Sequence, residues 1–312
     1  MSSLIGVDVG GTSIRLRRFG AATGGRIDAP TEARGGEALA VRIAHLVTTM
    51  LEKGDVPSGI GVGIPGQVDP TGGTVRHALN LGIDGTPYPM AAELTRRLGV
   101  PVQIENDVRA AAFGAYHHIR IDNPGVSNLV YLSAGTGLSA GIVIDGRLHR
   151  GSRGIAGEIG HAPLGDAAVS CSCGLQGCLE AIVGGRSLEE HIPGGVRALF
   201  ADPSSDPDLA ARVATALAGA LYVLATAYDP DLFVLGGGIG TDAAPAVRKV
   251  LSGMSAASPF GEVVLTPDRV TTLPPDADVG TAGAALLGSR RDPSAPPGPR
   301  SSRANHDEGG TR

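Results

Sequence analysis

The chain has 312 residues, of which 42% are apolar and 18% charged, so it can fill at least one hydrophobic core. At about 150 residues per domain, this length predicts two domains. The net charge of −5 provides no positive field that would attract a nucleic-acid backbone, so no nucleic-acid partner is expected.

Neither secretion nor a membrane span is expected. The first residues lack the basic and apolar regions of a signal peptide. The longest uncharged apolar stretch, residues 213–228, is shorter than the ~20 residues that cross a bilayer, and we expect a buried helix there. All three cysteines lie between positions 171 and 178. They are too close together for a disulfide framework, which favours a reducing cytoplasm.

The first half of the chain is predicted to alternate strands and helices. In chain order, we predict strands at residues 4–9, 14–17, 59–64 and 101–104, and a helix at 90–98. The first two strands enclose a glycine turn and should form a β-hairpin. Apolar residues at helical spacing begin at Val108, so Asn106 and Asp107 should lie where a strand gives way to a helix.

The hairpin pattern returns about 125 residues later, which predicts two similar halves. In this second half we predict strands at 129–132, 141–144 and 232–235, and a helix at 282–287. Beyond Leu287 the chain has no Leu, Ile, Val or aromatic residue. Residues 289–312 therefore cannot bury enough surface to fold, and we expect a disordered tail.

In each predicted hairpin the turn contains glycines next to a threonine, at residues 10–12 and 135–137. Such turns let backbone N–H groups approach phosphate oxygens, and the threonine hydroxyls add donors. Ordinary hairpin turns are the alternative, but the repetition, with Asp8 before the first turn, favours two turns that hold one polyphosphate. Neither lysine, Lys53 or Lys249, stands in a Walker-type sequence. Phosphate binding is therefore expected to depend on amides, hydroxyls and a metal ion.

Two further patterns have both a structural and a functional interpretation. Residues 61–66 match the dinucleotide fingerprint formally, but Pro65 and the residues after it do not open a helix. They predict either a rigid loop against a ligand or a turn that ends a strand. Asn106 and Asp107 could hold a polyol and accept a hydroxyl proton. Both residue types also cap helices, and that alternative stays open.

The strongest chemical signal is a cluster of metal-binding side chains. Its members are His161, Cys171, Cys173 and Cys178. Three thiols and one imidazole match a closed tetrahedral Zn²⁺ site. No coordination position remains for water, so the zinc is expected to be structural. It would fix the loop that carries His161 and, just after Cys178, Glu180.

At these residues the chain resembles the ROK family of repressors, open reading frames and sugar kinases, and among them the glucokinase-like members. The resemblance covers roughly residues 4–288 and consists of six motifs. They are Asp-x-Gly-Gly-Thr at 8–12, Gly-x-Pro-Gly at 63–66, Asn-Asp at 106–107, Gly-Thr-Gly at 135–137, Glu-x-Gly-His at 158–161 and Cys-x-Cys-Gly-x-x-Gly-Cys-x-Glu at 171–180.

The resemblance implies an α/β, actin-like (ribonuclease H-like) ATPase fold of two lobes, with the ligands in the cleft between them. Residues 1–118 would form a small N-terminal lobe, completed by the C-terminal helix near 280–288. Residues 119–279 would form a large lobe that includes the zinc-binding loop. Relatives are commonly dimers or tetramers, so a homo-oligomer is expected.

The resemblance also implies roles for individual residues. Asp107 would be the catalytic base. Sugar hydroxyls would be held by Gly66, Asn106, Asp107, Glu158, His161 and Glu180. ATP would be held by Asp8, Gly10, Gly11, Thr12, Gly135, Thr136, Gly137, Gly237 and Gly238. Asp8 would lie near Mg²⁺, and His161 would place one ring nitrogen on zinc and the other on the sugar.

These roles imply ATP-dependent phosphorylation of a hexose at its 6-hydroxyl, with glucose as the first candidate. N-acetylated amino sugars, mannose and fructose are the alternative acceptors. A sugar sensor without catalysis is a second class, because Ser139-Ala140 stands where many relatives have two glycines. A sugar-responsive repressor is a third. Only seven residues precede Asp8, too few for a winged helix-turn-helix module, so we do not expect a repressor.

Overall fold

Two five-stranded sheets form the framework of the protein. The computed structural model describes residues 3–20, 25–32, 34–51, 56–185, 188, 192, 196–203, 205–274 and 276–289. The predicted tail from residue 290 onward lies outside the described residues, as does Lys53.

The first half of the chain builds one sheet and three helices. Its elements are β1 (Leu4–Val9), β2 (Ser13–Phe19), β3 (Arg26–Pro30), α1 (Gly36–Met50), β4 (Gly59–Ile64), β5 (Gln67–Asp69), β6 (Thr74–Arg76), α2 (Met90–Leu98), β7 (Val102–Asn106) and α3 (Asp107–Asp122). The strand order is β3-β2-β1-β4-β7. β1 pairs antiparallel with β2 and parallel with β4, while β5 and β6 form a separate hairpin. Apolar side chains of α1 and α2 pack on this sheet to form one core.

The second half builds the other sheet and six more helices within the described residues. Its elements are β8 (Leu129–Ala134), β9 (Leu138–Ile144), β10 (Arg147–Leu148), α4 (Glu180–Val183), α5 (Val196–Ala201), α6 (Pro207–Tyr228), β11 (Leu232–Gly236), α7 (Gly237–Ala256), α8 (Pro259–Val264), β12 (Val270–Thr272) and α9 (Val279–Gly288). The strand order is β10-β9-β8-β11-β12. As in the first sheet, two antiparallel pairings are followed by two parallel ones. The two sheets therefore share one topology, which confirms the predicted similarity of the halves.

Helices α3 and α9 connect the two halves, because each packs on the sheet of the other half. α3 follows β7 of the first sheet but packs on β8 and β9, whereas α9 follows β12 and packs on β1 and β4. The two helices cross in close contact: a Cβ atom added to Gly283 would lie 1.8 Å from the carbonyl oxygen of Ala110. One added to Gly114 would lie 2.0 Å from that of Val279. Only glycine fits this crossing.

Helix α9 packs on β1 and β4, which is the position expected of a C-terminal helix that completes the N-terminal lobe. The contacts of α3 with the second sheet, by contrast, place residues 107–122 between the two sheets. The boundary at residues 118 and 119 therefore remains a proposal.

Among the described helices, α6 alone is long and apolar enough to cross a membrane by length and composition. It begins where the Asp206 carboxylate accepts a hydrogen bond from the Leu209 amide at 3.0 Å, an N-cap. Val213, Leu217 and Leu221 are fully buried in the core of the second half, and half of the apolar window is buried inside the protein. This is the burial of a core helix, as predicted for residues 213–228.

Candidate active site

The junction of β7 and α3 places Asp107 at the first position of a helix. The Asn106 side-chain oxygen accepts hydrogen bonds from the amides of Val108 and Arg109, both at 3.1 Å, so Asn106 caps α3. Its side-chain nitrogen donates to the carbonyl of Gly66 at 3.2 Å. The capping interpretation is therefore correct for Asn106. One N–H of its side-chain amide remains for a ligand.

A cleft of about 500 Å³ brings groups from both halves together. Asp8 and Asp107 line it from the first half, and Gly237 and Gly238 line it from the second. These four predicted site residues therefore share one cavity. Among the described residues, the glycine turns 10–12 and 135–137 follow β1 and β8 directly but are not part of the lining of this cleft.

The carboxylates of the cleft are held in an environment that disfavours their charge. Burial and the nearby charge of Asp8 raise the pKa of Asp107 to about 7, against a smaller lowering by backbone hydrogen bonds and a further rise from Glu158. Burial raises the pKa of Asp8 to about 6, while Arg15 lowers it and Asp278 raises it. Outside the lining of this cleft, burial also raises the pKa of Glu158, and the charges of His161 and Arg109 oppose that rise.

A divalent cation would relieve this crowding of buried carboxylates. Carboxylate oxygens are also the protein ligands that Mg²⁺ prefers. Asp8, beside Asp107 in the cleft, therefore fits the predicted role near Mg²⁺.

Arg15 and Tyr131 are among the lining residues of this cleft that were not predicted as site residues. Arg15 lies opposite Asp8 in the β1–β2 pairing and is the single cationic side chain in the described lining. Arg15 thus adds a cationic group to the amides, hydroxyls and metal ion that were expected to bind phosphates. The sequence could have revealed Arg15, because the register of the β1–β2 hairpin places position 15 opposite Asp8. Tyr131 also lines the cleft, and burial with the charges of Asp8 and Asp107 raises its pKa to about 12, so its hydroxyl stays protonated.

The four predicted zinc ligands lie together. The ligand atoms of His161, Cys171, Cys173 and Cys178 are all within 4.8 Å of one another. The Cys173 and Cys178 sulfurs are 3.7 Å apart, and the Cys171 sulfur is 3.8 Å from Nδ1 of His161. A tetrahedral site with Zn–S bonds of about 2.3 Å has ligand atoms about 3.8 Å apart. The donor set and its spacing therefore fit Zn²⁺.

The remaining predicted sugar contacts flank this cluster. Nδ1 of His161 faces the thiols, so Nε2 is left to donate to a ligand. Glu180 begins α4, two residues after Cys178, and its Oε2 accepts a hydrogen bond from the Leu138 amide at 3.0 Å. The cysteine loop is thereby joined to the end of the 135–137 turn. Glu158 immediately precedes the 3₁₀ turn Ile159–His161 and acts electrostatically on Asp107.

A buried ion cluster of Glu105, Arg109 and Arg150 lies behind Asp107, and it was not predicted. Glu105 and Arg109 are only 2% and 3% exposed. Glu105 Oε1 is 2.8 Å from Nε of Arg109, and Oε2 accepts from Nε of Arg150 at 2.6 Å. Nη1 of Arg109 donates to the carbonyl of Gly154 at 2.8 Å. The cluster therefore joins the start of α3 to the loop that leads to Glu158.

Comparison with known proteins agrees with the motifs and with this geometry. The model of the ROK family matches residues 4–290. The chain belongs to the ROK family. A glucokinase from Streptomyces coelicolor is 31% identical over 273 residues, which cover 78% of this chain and 84% of that enzyme. An N-acetylmannosamine kinase from Vibrio cholerae is 32% identical over 194 residues, 58% of this chain. That alignment spans 65% of the kinase, just under two thirds of its length.

A solved structure of similar fold is the ROK family glucokinase from Streptomyces griseus in complex with glucose and AMPPNP. Its TM-score is 0.73 at 25% identity, over 92% of this ROK chain and 99% of that one. These comparisons confirm the predicted family and the actin-like fold. The kinase relatives support the predicted class of enzyme.

Proposed function

We propose that this ROK protein is an ATP-dependent sugar kinase that phosphorylates a hexose, glucose first, at its 6-hydroxyl. The observation that carries the proposal is the cleft in which Asp107 and Asp8 face the glycines at 237 and 238. The kinase relatives from Streptomyces support the acceptor, since one is a glucokinase and another was solved with glucose and AMPPNP.

Asp107 acts as the general base. As the 6-hydroxyl oxygen attacks the γ-phosphorus, the carboxylate accepts the hydroxyl proton; the new O–P bond forms while the bond to the β-phosphate oxygen breaks and ADP leaves. A base with a pKa of about 7 is matched to this task, because it is partly ionised at neutral pH and still holds a proton well.

The sugar is held on both sides of Asp107. The free N–H of the Asn106 side chain, the carboxylates of Glu158 and Glu180, and Nε2 of His161 bind its hydroxyls, and the Gly66 carbonyl orients Asn106. The zinc cluster keeps the loop of His161 and Glu180 in place. A Zn²⁺ ion held by His161, Cys171, Cys173 and Cys178 would be structural and would supply no chemistry to phosphoryl transfer.

Backbone amides and charged groups bind the phosphates of ATP. The turns at 10–12 and 135–137, with the hydroxyls of Thr12 and Thr136, cradle the phosphates, and Gly237 and Gly238 border the nucleoside. Asp8 would hold the Mg²⁺ ion, which neutralises charge on the phosphate oxygens when it is bound. Arg15 adds the positive charge that the lysines do not supply.

We place the enzyme in the cytoplasm, where its thiols stay reduced and available to zinc. We also propose that the protein is a homo-oligomer, either a dimer or a tetramer. Its two lobes would comprise residues 1–118 and 119–279. N-acetylmannosamine is the second candidate acceptor, because a kinase for that sugar shares 32% identity with this chain.

The test is an ADP-release assay over a panel of hexoses and N-acetylated amino sugars, with the wild-type protein beside Asp107→Ala. We expect the variant to lower turnover by about 10²–10⁴-fold and to retain nucleotide binding. Near-normal turnover would remove Asp107 from the mechanism. Sugar binding without ADP release from the wild-type protein would instead indicate a sensor.

A further inference from the structure

A second cleft, of about 640 Å³, lies between the β5–β6 hairpin and residues 150–155. Arg76 lines it from the hairpin, and Arg150 and Arg153 line it from the loop. Asp69 is the single carboxylate in the described lining. We call this feature the arginine cleft, defined by Arg76, Arg150 and Arg153.

The two walls of the arginine cleft are joined by side chains. Gln67 accepts a hydrogen bond from Nε of Arg76 at 2.9 Å and donates to the backbone carbonyl of Arg153 at 3.2 Å. Behind the cleft, the buried side chain of Arg109 donates to Gly154 of the loop. These bonds hold the guanidinium-bearing segments in a fixed relation, so the cleft is preorganised.

The charge balance of the arginine cleft favours an anion. Nε of Arg150 is held by Glu105 at 2.6 Å, but Glu105 also neutralises Arg109. Besides this pair, the described lining holds Arg76 and Arg153 against one carboxylate, that of Asp69. The Asp69 carboxylate accepts from the Thr71 amide at 3.0 Å. With Arg76 and Arg153, the cleft is cationic in a protein whose net charge is −5.

We propose that the arginine cleft binds the phosphate group of a small anion. Guanidinium groups match the geometry of phosphate oxygens in paired hydrogen bonds, and the hydroxyls of Thr71 and Ser152 in the lining add neutral donors. Free inorganic phosphate and a hexose 6-phosphate share this chemistry. Residues 150–155 lead into Glu158 and His161, so an occupied cleft changes the KM for sugar. That consequence rests on the proposed function.

Isothermal titration calorimetry with inorganic phosphate and with glucose 6-phosphate, nucleotide absent, tests the site. Arg153→Ala and Arg76→Ala are each expected to weaken binding about 10-fold, the effect of losing a charge-assisted contact. The matched control is Arg212→Ala, which removes an exposed arginine of α6 that lines neither cleft and should leave the affinity unchanged. Because glucose 6-phosphate is also the product of the proposed reaction, only binding that Arg153→Ala weakens is assigned to the arginine cleft. If that binding is tighter for glucose 6-phosphate than for phosphate, the ligand is a sugar phosphate, and equal affinities identify the free anion.

The site is overturned if the wild-type protein binds neither anion, or if Arg15→Ala abolishes binding that Arg153→Ala leaves intact. Circular dichroism of each variant shows whether it is folded. Asp107→Ala keeps anion binding whether or not the chain is a kinase, so failure of the proposed function is distinguished from failure of this site. In the active enzyme, phosphate should change the KM for glucose of wild type and not of Arg153→Ala.

Discussion

The two halves of the protein share one topology and differ in charge at equivalent positions. In the first hairpin Asp8 lies opposite Arg15, and in the second Ser133 lies opposite Ser139. Both Asp8 and Ser133 line the cleft between the sheets. Under the proposed function, this difference in charge corresponds to two tasks: Asp8 and Arg15 of the first half act on the reacting groups, and Ser133 with the glycines at 237 and 238 of the second half borders the nucleotide.

The sharpest test of this division is a pair of substitutions at equivalent positions. Asp8→Ala should lower kcat by about 10²–10³-fold, since it removes a carboxylate that holds the metal against the developing charge. Ser133→Ala should change kcat by less than about 3-fold, because a hydroxyl at the cleft wall contributes one neutral hydrogen bond. Steady-state kinetics at saturating sugar and Mg·ATP measures both, and equal losses would refute the division of tasks.

Ion pairs of the two halves should also differ in their effect on stability. Glu105→Gln removes the carboxylate that pairs with the buried Arg109 and with the half-buried Arg150, and it should lower the free energy of unfolding by about 3–5 kcal/mol. Asp229→Asn in the second half breaks a pair whose carboxylate is 90% exposed, at 3.2 Å from Arg269. That change should cost less than about 1 kcal/mol.

Urea denaturation of the two variants measures this difference. Similar midpoints for Glu105→Gln and the wild-type protein would show that the buried ion cluster does not stabilise the junction of β7 and α3.

Under the proposed function, the cysteine loop of the second half positions two residues that bind the sugar. Cys173→Ser should lose zinc and raise the KM for sugar by about 10–100-fold, because His161 and Glu180 lose their support. The KM for ATP should change little. Zinc content by atomic absorption and the two KM values check this, with Ser172→Ala, a neighbour outside the ligand set, as the control. Full sugar affinity in zinc-free protein would contradict the role of the cluster.

The charge of the first half should also appear in the pH profile. Burial and Asp8 raise the pKa of Asp107 to about 7, and only the ionised carboxylate accepts a proton. kcat/KM for sugar should therefore fall as the pH drops below 7, by about 10-fold at pH 6 relative to its plateau. A profile that stays flat down to pH 5 would show that no group with this pKa controls the reaction.

Much of the framework could be predicted from local pattern. The helix predicted at 90–98 has the bounds of α2, and the strand at 59–64 has those of β4. The hairpins followed from alternation on each side of a glycine turn. Helix α1 was not predicted, although the buried Leu39, Ile43 and Leu46 have helical spacing. That signal was present in the sequence.

The site was predictable where its residues are close in the chain. The zinc ligands fall within 18 positions and carry a distinctive chemistry. The buried ion cluster could not be predicted, because Glu105 and Arg150 are 45 positions apart and meet only through tertiary packing. The same holds for Tyr131, whose place in the cleft depends on the parallel pairing of β8 with β11.

The late position of helix α9 in the sequence affects how the protein folds during its synthesis on the ribosome. This helix covers β1 and β4, two strands of the first sheet, yet it is the last described helix to be synthesised. One face of the first sheet therefore stays uncovered until some 220 residues after β4 have left the ribosome. Nascent chains of this protein would then expose an apolar sheet face, a surface that chaperones bind, for nearly the whole of translation.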